Sequence, residues 1–261
     1  MMSARQSPAL LPFLQKLERG CTFTGEERDA ILALPFTPMQ IEANRDFLRE
    51  GQPVDCSTFV FSGMVGAFKQ DRSGRRQVVS IYIPGDMVDL HSVPVPETAA
   101  ALQSLVATTV LHVPHPALRD IAARYPKIAF AFWRQSVLDA AILMEWVMNL
   151  GQRNARCRTA HFLCELAYRA HRRTPADGSR IPYGVTQFAL ADILGLTPVH
   201  VNRTLQLLRS EGLIDTIDRS IHRILDWKGL VKAGDFHPGY LKLDEEAMTG
   251  WSCHPQVALA N

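Results

Sequence analysis

A chain of 261 residues, 47% hydrophobic and 21% charged, is long enough for two modest domains with real cores and has an ordinary globular composition. No run of about 18 apolar residues occurs, which excludes a spanning helix, and five scattered cysteines (Cys21, Cys56, Cys157, Cys164, Cys253) argue against a disulfide framework. The net charge is only +2, yet residues 151–232 hold 13 Lys and Arg against 7 Asp and Glu, an asymmetry that hints at a domain facing nucleic acid.

The opening stretch MMSARQSPALLPFLQKLERG lacks a sustained apolar core and a small-residue cleavage site, so no signal peptide is expected and the reducing cytoplasm is the expected home. Residues 8–34 read as helical, with Leu10, Leu14 and Leu17 on one side and Thr24 and Glu27 spaced as a capping box for 25–34. From 38 to about 113 the character changes to short Val-, Ile-, Phe- and Tyr-rich stretches punctuated by glycines. Asp71-Arg-Ser-Gly74 suits a hairpin turn between VGAFK and QVVSIYI, and Pro84-Gly85-Asp86 suits another. Many short strands with regular turns predict a small barrel or jelly roll.

At 116–152 the period lengthens to that of a helix, with Pro126 starting a long one. Within it Phe130, Trp133, Val137, Ala140, Met144 and Val147 recur at spacings of three and four, a heptad seam. The seam suits a two-stranded dimer interface, because a helix of about 25 residues spans close to 40 Å, long for burial in a small barrel domain. Packing on its own domain's core is the alternative. Asn154 is placed to cap a further helix from Ala155 to about His171. The tail, 236–261, has little periodicity and is expected to be loosely ordered.

The stretch LADILGLTPVHVNRTLQLLRSEGLI carries the sharpest signal. Thr186 is placed to cap a helix over 187–194 whose Leu190, Ile193 and Leu194 face inward, and Gly195 suits the tight turn after it. Thr197 then caps a second helix with Pro198 at its first position. Val201, Leu205 and Leu208 fall on one face of that helix, while Asn202, Arg203 and Gln206 point to the other, with His200 near its edge. This is a helix-turn-helix pattern, and its polar side suits the major groove, where Arg pairs with guanine and Asn or Gln with adenine. GLIDTIDRSIHRIL then reads as strand, turn, strand, a wing whose Arg219, His222 and Arg223 are candidate phosphate contacts.

On these residues the chain resembles the Crp/Fnr superfamily of bacterial transcription regulators, over roughly residues 35–232. REGQPVDCSTFVFSGMVGAFKQDRSGRRQVVSIYIPGD carries the resemblance for a β-roll sensor, and TQFALADILGLTPVHVNRTLQLLRSEGLI for the DNA reader. The implied fold is α+β: an N-terminal antiparallel β-roll (a double-stranded β-helix) with flanking helices over 1–125, a long dimerisation helix over 126–153, a winged helix-turn-helix over 154–235, and the tail. The implied partners are a second copy of the chain, double-stranded palindromic DNA and RNA polymerase, with no membrane. Arg203 matches the family's base-reading arginine, and Thr186 and Gln187 match the phosphate-contacting start of its first helix. Thr197, Val199, His200, Asn202 and Gln206 complete the expected DNA-facing set. Where many relatives place a glutamate that accepts from cytosine, this chain has Val199, which offers only methyl contacts, for example to thymine.

Relatives that bind cyclic AMP carry a Gly-Glu pair and, further on, an Arg followed by Ser or Thr. Here Asp89 stands for the glutamate, Val88 occupies the glycine's place, and no Arg or Lys occurs from 77 to 118, so a buried phosphodiester would lack its cation and cyclic AMP is not expected. An iron–sulfur sensor of the Fnr kind needs clustered N-terminal thiolates, and Cys21 stands alone there. A haem ligated by His91 or His112 stays open. So does a redox role for Cys157 between Arg156 and Arg158, against simple packing with Cys164 on one helical face. The effector is therefore unassigned, and no metal site or catalytic residue is expected. Two other classes compete: a cupin-type barrel enzyme, for which the expected strands supply only His91 and His112, and a winged helix used for protein contacts.

Overall fold

Thr24 accepts from the Glu27 amide while the Glu27 carboxylate accepts from the Thr24 amide, the reciprocal cap that starts α2 (Gly25–Leu32). The preceding helix, α1 (Leu11–Leu17), buries Phe13, Leu14 and Leu17. The structure, a computed structural model, describes residues 8–181, 184–218 and 221–241.

After α2 the chain forms two antiparallel sheets. β1 (Thr37–Ile41), β7 (Thr108–Pro114) and β3 (Cys56–Ser62) make one, in the order β1-β7-β3. The other runs β2-β6-β4-β5, from β2 (Arg45–Leu48), β6 (Ala101–Ser104), β4 (Val65–Gln70) and β5 (Arg76–Tyr82). Period-two alternation turns Ile41, Val60, Val65, Leu102 and Val110 into the space between them. The Asp71 carboxylate accepts from the Ser73 and Arg75 amides and closes the β4–β5 hairpin at the expected turn. This is the β-roll.

The helix α3 (His115–Arg124) leads into α4 (Pro126–Gln152), 27 residues long. One side of α4 packs inward: Ile128, Ala131 and Phe132 join α1, with the Phe132 and Phe13 rings stacked 6.0 Å apart. Further along, the Trp146 indole donates to Glu165 at 3.0 Å. The opposite side carries the expected seam. Trp133, Val137, Ala140, Met144 and Val147 are exposed and Phe130 half-buried; Met144 and Val147 are 67% and 65% exposed. Phe130 packs on the core beside α1, but from Trp133 onward the described residues leave the seam uncovered.

Asn154 caps α5 (Ala155–His171), accepting from the Cys157 amide at 3.0 Å. α6 (Gln187–Leu194) and α7 (Pro198–Ser210) follow, then a three-stranded wing in the order β8-β10-β9, from β8 (Arg180–Ile181), β9 (Ile214–Asp218) and β10 (Ile221–Ile224). Asp226, accepting from the Gly229 amide, caps a further helix, α8 (Trp227–Gly234). The tail does not loosen at 236, as its lack of periodicity suggested. Phe236 and Leu241 are buried, and the Phe236 ring lies 5.3 Å from that of His161. Packing against α5, not amphipathic periodicity, orders this stretch as far as Leu241, and residues 242–261 of the expected tail lie outside the described residues.

The two halves share one core, in which Phe68, Ile81 and Leu105 of the β-roll meet Leu163, Leu190 and Ile193 of the C-terminal half. A buried ion network pins the join. The Arg169 guanidinium donates to Glu165 at 3.0 Å, to Asp86 at 2.9 Å and to the Ile81 carbonyl at 2.9 Å, and Lys16 reaches Asp86 at 2.7 Å. Burial pushes the Asp86 carboxyl up, but Lys16 and Arg169 outweigh it and hold the group below the usual carboxylate range. The Gln77 side chain, on the β4–β5 hairpin, donates to the Asp192 and Ile193 carbonyls at the end of α6.

Candidate nucleic-acid interface

The helix-turn-helix is assembled by local rules. The Thr186 hydroxyl accepts from the Ala189 amide at 3.1 Å, and Leu190, Ile193 and Leu194 go into the core. Gly195 ends α6 at φ +60°, the left-handed conformation in which a Cβ is penalised. The Thr197 hydroxyl then accepts from the His200 amide at 3.3 Å, with Pro198 at the first position of α7. Val201, Leu205 and Leu208 are buried, each worth about 1.5–3 kcal/mol on transfer from water, and they fix the rotation of α7 about its axis.

That rotation leaves Thr197, Val199, His200, Arg203 and Gln206 exposed on the opposite side, with Asn202 half-buried at its margin. Thr186 and Gln187, at the start of α6, are also exposed. The first turn of α7 carries no acidic side chain, so its free amides and macrodipole favour an anion such as a DNA phosphate. One feature of this surface escaped the sequence reading. Phe188, 74% exposed, stands beside Gln187 and is out of phase with the buried Leu190 and Ile193. That mismatch of an aromatic with the apolar period was the available signal.

The wing divides its three expected contacts. Arg223 is exposed but paired with Asp215 at 2.7 Å. His222 is not a surface group: it is 5% exposed, alternates inward with Ile224, and its Nδ1 sits 3.3 Å from the Thr216 hydroxyl. Burial and the charge of Arg209 lower its pKa, so it is a neutral structural histidine and not a phosphate ligand. Arg219 lies outside the described residues.

The β-roll holds a second site, a cavity of about 440 Å³ between the β4–β5 sheet, the segment around Asp89 and the middle of α4. Its walls are mainly apolar, from Ala67, Val79, Val88, Leu102 and Leu143. Its acids are Asp89 and Asp139. Burial raises the Asp89 carboxyl to about 6, against the lowering effect of the Thr58 amide that it accepts from at 2.7 Å. The other Asp89 oxygen is buried with no hydrogen-bond partner among the described residues. Burial raises Asp139 likewise. Among the described lining residues the one Lys or Arg is Lys69, brought in by strand pairing and paired with Glu50 at 2.5 Å, while burial lowers the pKa of His91, also in the lining, and favours its neutral form. A phosphodiester here would meet two carboxyls and no uncommitted cation, so the lining does not fit a cyclic nucleotide.

The alternatives fare differently. His112 does not join His91 at the cavity: its Nδ1 is 3.5 Å from the Thr58 hydroxyl and its Nε2 is 3.4 Å from the Met39 sulfur. Among the described residues no three His, Cys, Asp or Glu side chains converge as metal ligands. The arginines beside Cys157 do not activate it. Burial raises its thiol above the ordinary value, outweighing Arg153 and Arg156. No helix among the described residues is long and apolar enough to cross a membrane.

Two domain patterns match the chain: the Cyclic nucleotide-binding domain over residues 38–125 and the Crp-like helix-turn-helix domain over 157–233. The nitrogen fixation regulation protein FixK of Azorhizobium caulinodans is 26% identical over 200 residues, covering 76% of this chain and 80% of that one. An anaerobic regulatory protein of Haemophilus influenzae is 23% identical over 211 residues, 81% of each chain. Among solved structures, FixK2 from Bradyrhizobium japonicum superposes with a TM-score of 0.70 at 24% identity, over 77% of this chain and 98% of that one. With its β-roll, long helix and winged helix-turn-helix in that order, this chain belongs to the Crp/Fnr superfamily and is a DNA-binding transcription regulator of that type.

Proposed function

We infer that the regulator works as a homodimer on a palindromic operator, with two copies joined along α4 and each laying the Arg203 side of α7 in a major groove. The observation that carries this reading is the pairing of two outward-facing surfaces. One is a DNA-shaped polar face on a capped helix; the other is an apolar stripe on α4 that the described residues leave exposed from Trp133 to Val147. An isologous contact along α4 relates two α7 helices by a two-fold axis, which is what a palindrome requires. Arg203 is assigned to guanine, Gln206 and Asn202 to adenine, and Thr186, Gln187, Thr197 and His200 to the backbone flanking those bases. Arg223 remains a phosphate contact only if it leaves Asp215.

The β-roll is read as a sensor whose ligand is not cyclic AMP, given the acidic and apolar lining of its cavity. Calorimetric titration with millimolar cyclic AMP is expected to give no saturable heat; a stoichiometric isotherm would overturn this point. RNA polymerase is the expected further partner, in the cytoplasm of a bacterial cell, and no catalytic step is assigned to any residue.

Gel-shift titration across salt concentrations tests the core of the reading. Duplex affinity should fall steeply with salt, with a log–log slope of about −0.9 per phosphate neutralised. Met144→Glu, which sets like charges against each other across the seam, is expected to sediment as a monomer and to bind the operator much more weakly. A dimeric variant with full affinity would refute the α4 interface.

A further inference from the structure

We propose that Val199 selects a thymine in each half-site by packing its methyl groups on the thymine C5 methyl, within two base pairs of the guanine taken by Arg203. This rests on the reading of α7 as the base-reading helix. Phe188 and Val199 are the two most exposed large apolar side chains among the described residues beyond α4, each on the first turn of a helix of the helix-turn-helix. Val199 is 63% exposed, on the face of α7 opposite the buried Val201 and Leu205.

Its placement is tightly set. The Thr197 cap and the fixed φ of Pro198 hold the backbone on one side, and a β-branched side chain has little χ1 freedom. The valine methyls therefore project as a rigid probe on the same stripe as Arg203, four residues on. Four residues rise about 6 Å along a helix, close to two base-pair steps of about 3.4 Å.

Among the base edges of the major groove only thymine offers an apolar group, its C5 methyl. Cytosine presents an amino donor there. Valine cannot accept that hydrogen bond, and desolvating the donor against two methyls carries a penalty. The chemistry is attractive toward thymine and repulsive toward cytosine, which is how a single side chain discriminates.

The test begins with selection of sites from a random duplex pool by the full chain, followed by titration of synthetic operators. Selected sites should carry thymine within two base pairs of the guanine whose identity Arg203→Ala relaxes. Replacing that thymine with uracil removes only the methyl and should weaken the wild-type protein about four-fold per half-site, the factor expected for one buried methyl-sized group. Val199→Ala, at an exposed position, should fold normally and lose most of that sensitivity. Cytosine should bind worse than uracil, and 5-methylcytosine should recover part of the difference. Uracil bound as tightly as thymine, or an equal drop in Val199→Ala, would overturn the proposal while leaving α7 as the reader. If guanine choice survives Arg203→Ala, the base-reading assignment itself fails and the proposal falls with it.

Discussion

Two arginines 34 residues apart in the sequence show what the two ends of the C-terminal half are for. Arg169 is 9% exposed at its side chain and spends its guanidinium on Glu165, Asp86 and a backbone carbonyl, binding α5 to the β-roll. Arg203 stands in solvent on the far side of α7, with a capped, rigid helix beneath it. The first contributes to folding and to holding the domains in register. The second is the group proposed to read DNA. An arginine's role is decided by where its counter-charges lie, and mutation should separate the two roles cleanly.

The largest effect is expected at the junction. Arg169→Met leaves the buried carboxylates of Asp86 and Glu165 short of a partner and should cost about 3–5 kcal/mol of unfolding free energy in urea. A loss below about 1 kcal/mol, within the ordinary scatter of mutants, would mean that Lys16, Trp146 and Tyr240 suffice for those carboxylates. Next comes the cavity acid. The Asp89 carboxyl, raised to about 6 from 3.8, binds a proton in the folded chain that the unfolded chain has already released, so stability is full below about pH 4 and falls as pH rises through 6. Asp89→Asn should therefore be more stable than the wild type above pH 6, by an upper bound of about 3 kcal/mol, and should lack this component of the pH dependence. A variant less stable than the wild type at pH 7 would mean that the charged form is the one the fold needs. The smallest effect on folding belongs to Arg203→Ala: stability within about 0.5 kcal/mol, as for other surface changes, but about 1–3 kcal/mol lost from specific binding, with relaxed sequence choice. Lost stability without lost selectivity would erase the contrast with Arg169.

The same contrast explains which parts of the molecule were legible in sequence. Caps at Thr24, Asn154, Thr186 and Thr197, the turn at Gly195 and the buried triple Val201, Leu205 and Leu208 are local patterns, each settled within about two turns of helix. The apolar stripe on α4 was legible for the same reason. Contacts between distant segments were not. Asp86 and Arg169 lie 83 residues apart, Gln77 and Asp192 115 apart, and nothing in either stretch names the other. Lys69 enters the cavity through strand pairing, and Phe236 is ordered by edge-to-face contact with His161, neither of which leaves a period to read. His222 is a different case. The period-two rule that buries Ile224 also buries His222 and exposes Arg223, so the strand itself held the correction.

Geometry between half-sites tests the central claim most directly. Two α7 helices held by one α4 seam should read half-sites at a fixed separation of about one DNA turn. Inserting five base pairs at the centre of a selected operator rotates one half-site to the opposite face of the duplex. The wild-type protein should then lose all but single-half-site affinity, about 100-fold or more, as expected when one of two linked contacts can no longer be made. Undiminished affinity for the expanded operator would contradict the account, because it would mean that the two Arg203 faces do not bind as a rigid pair.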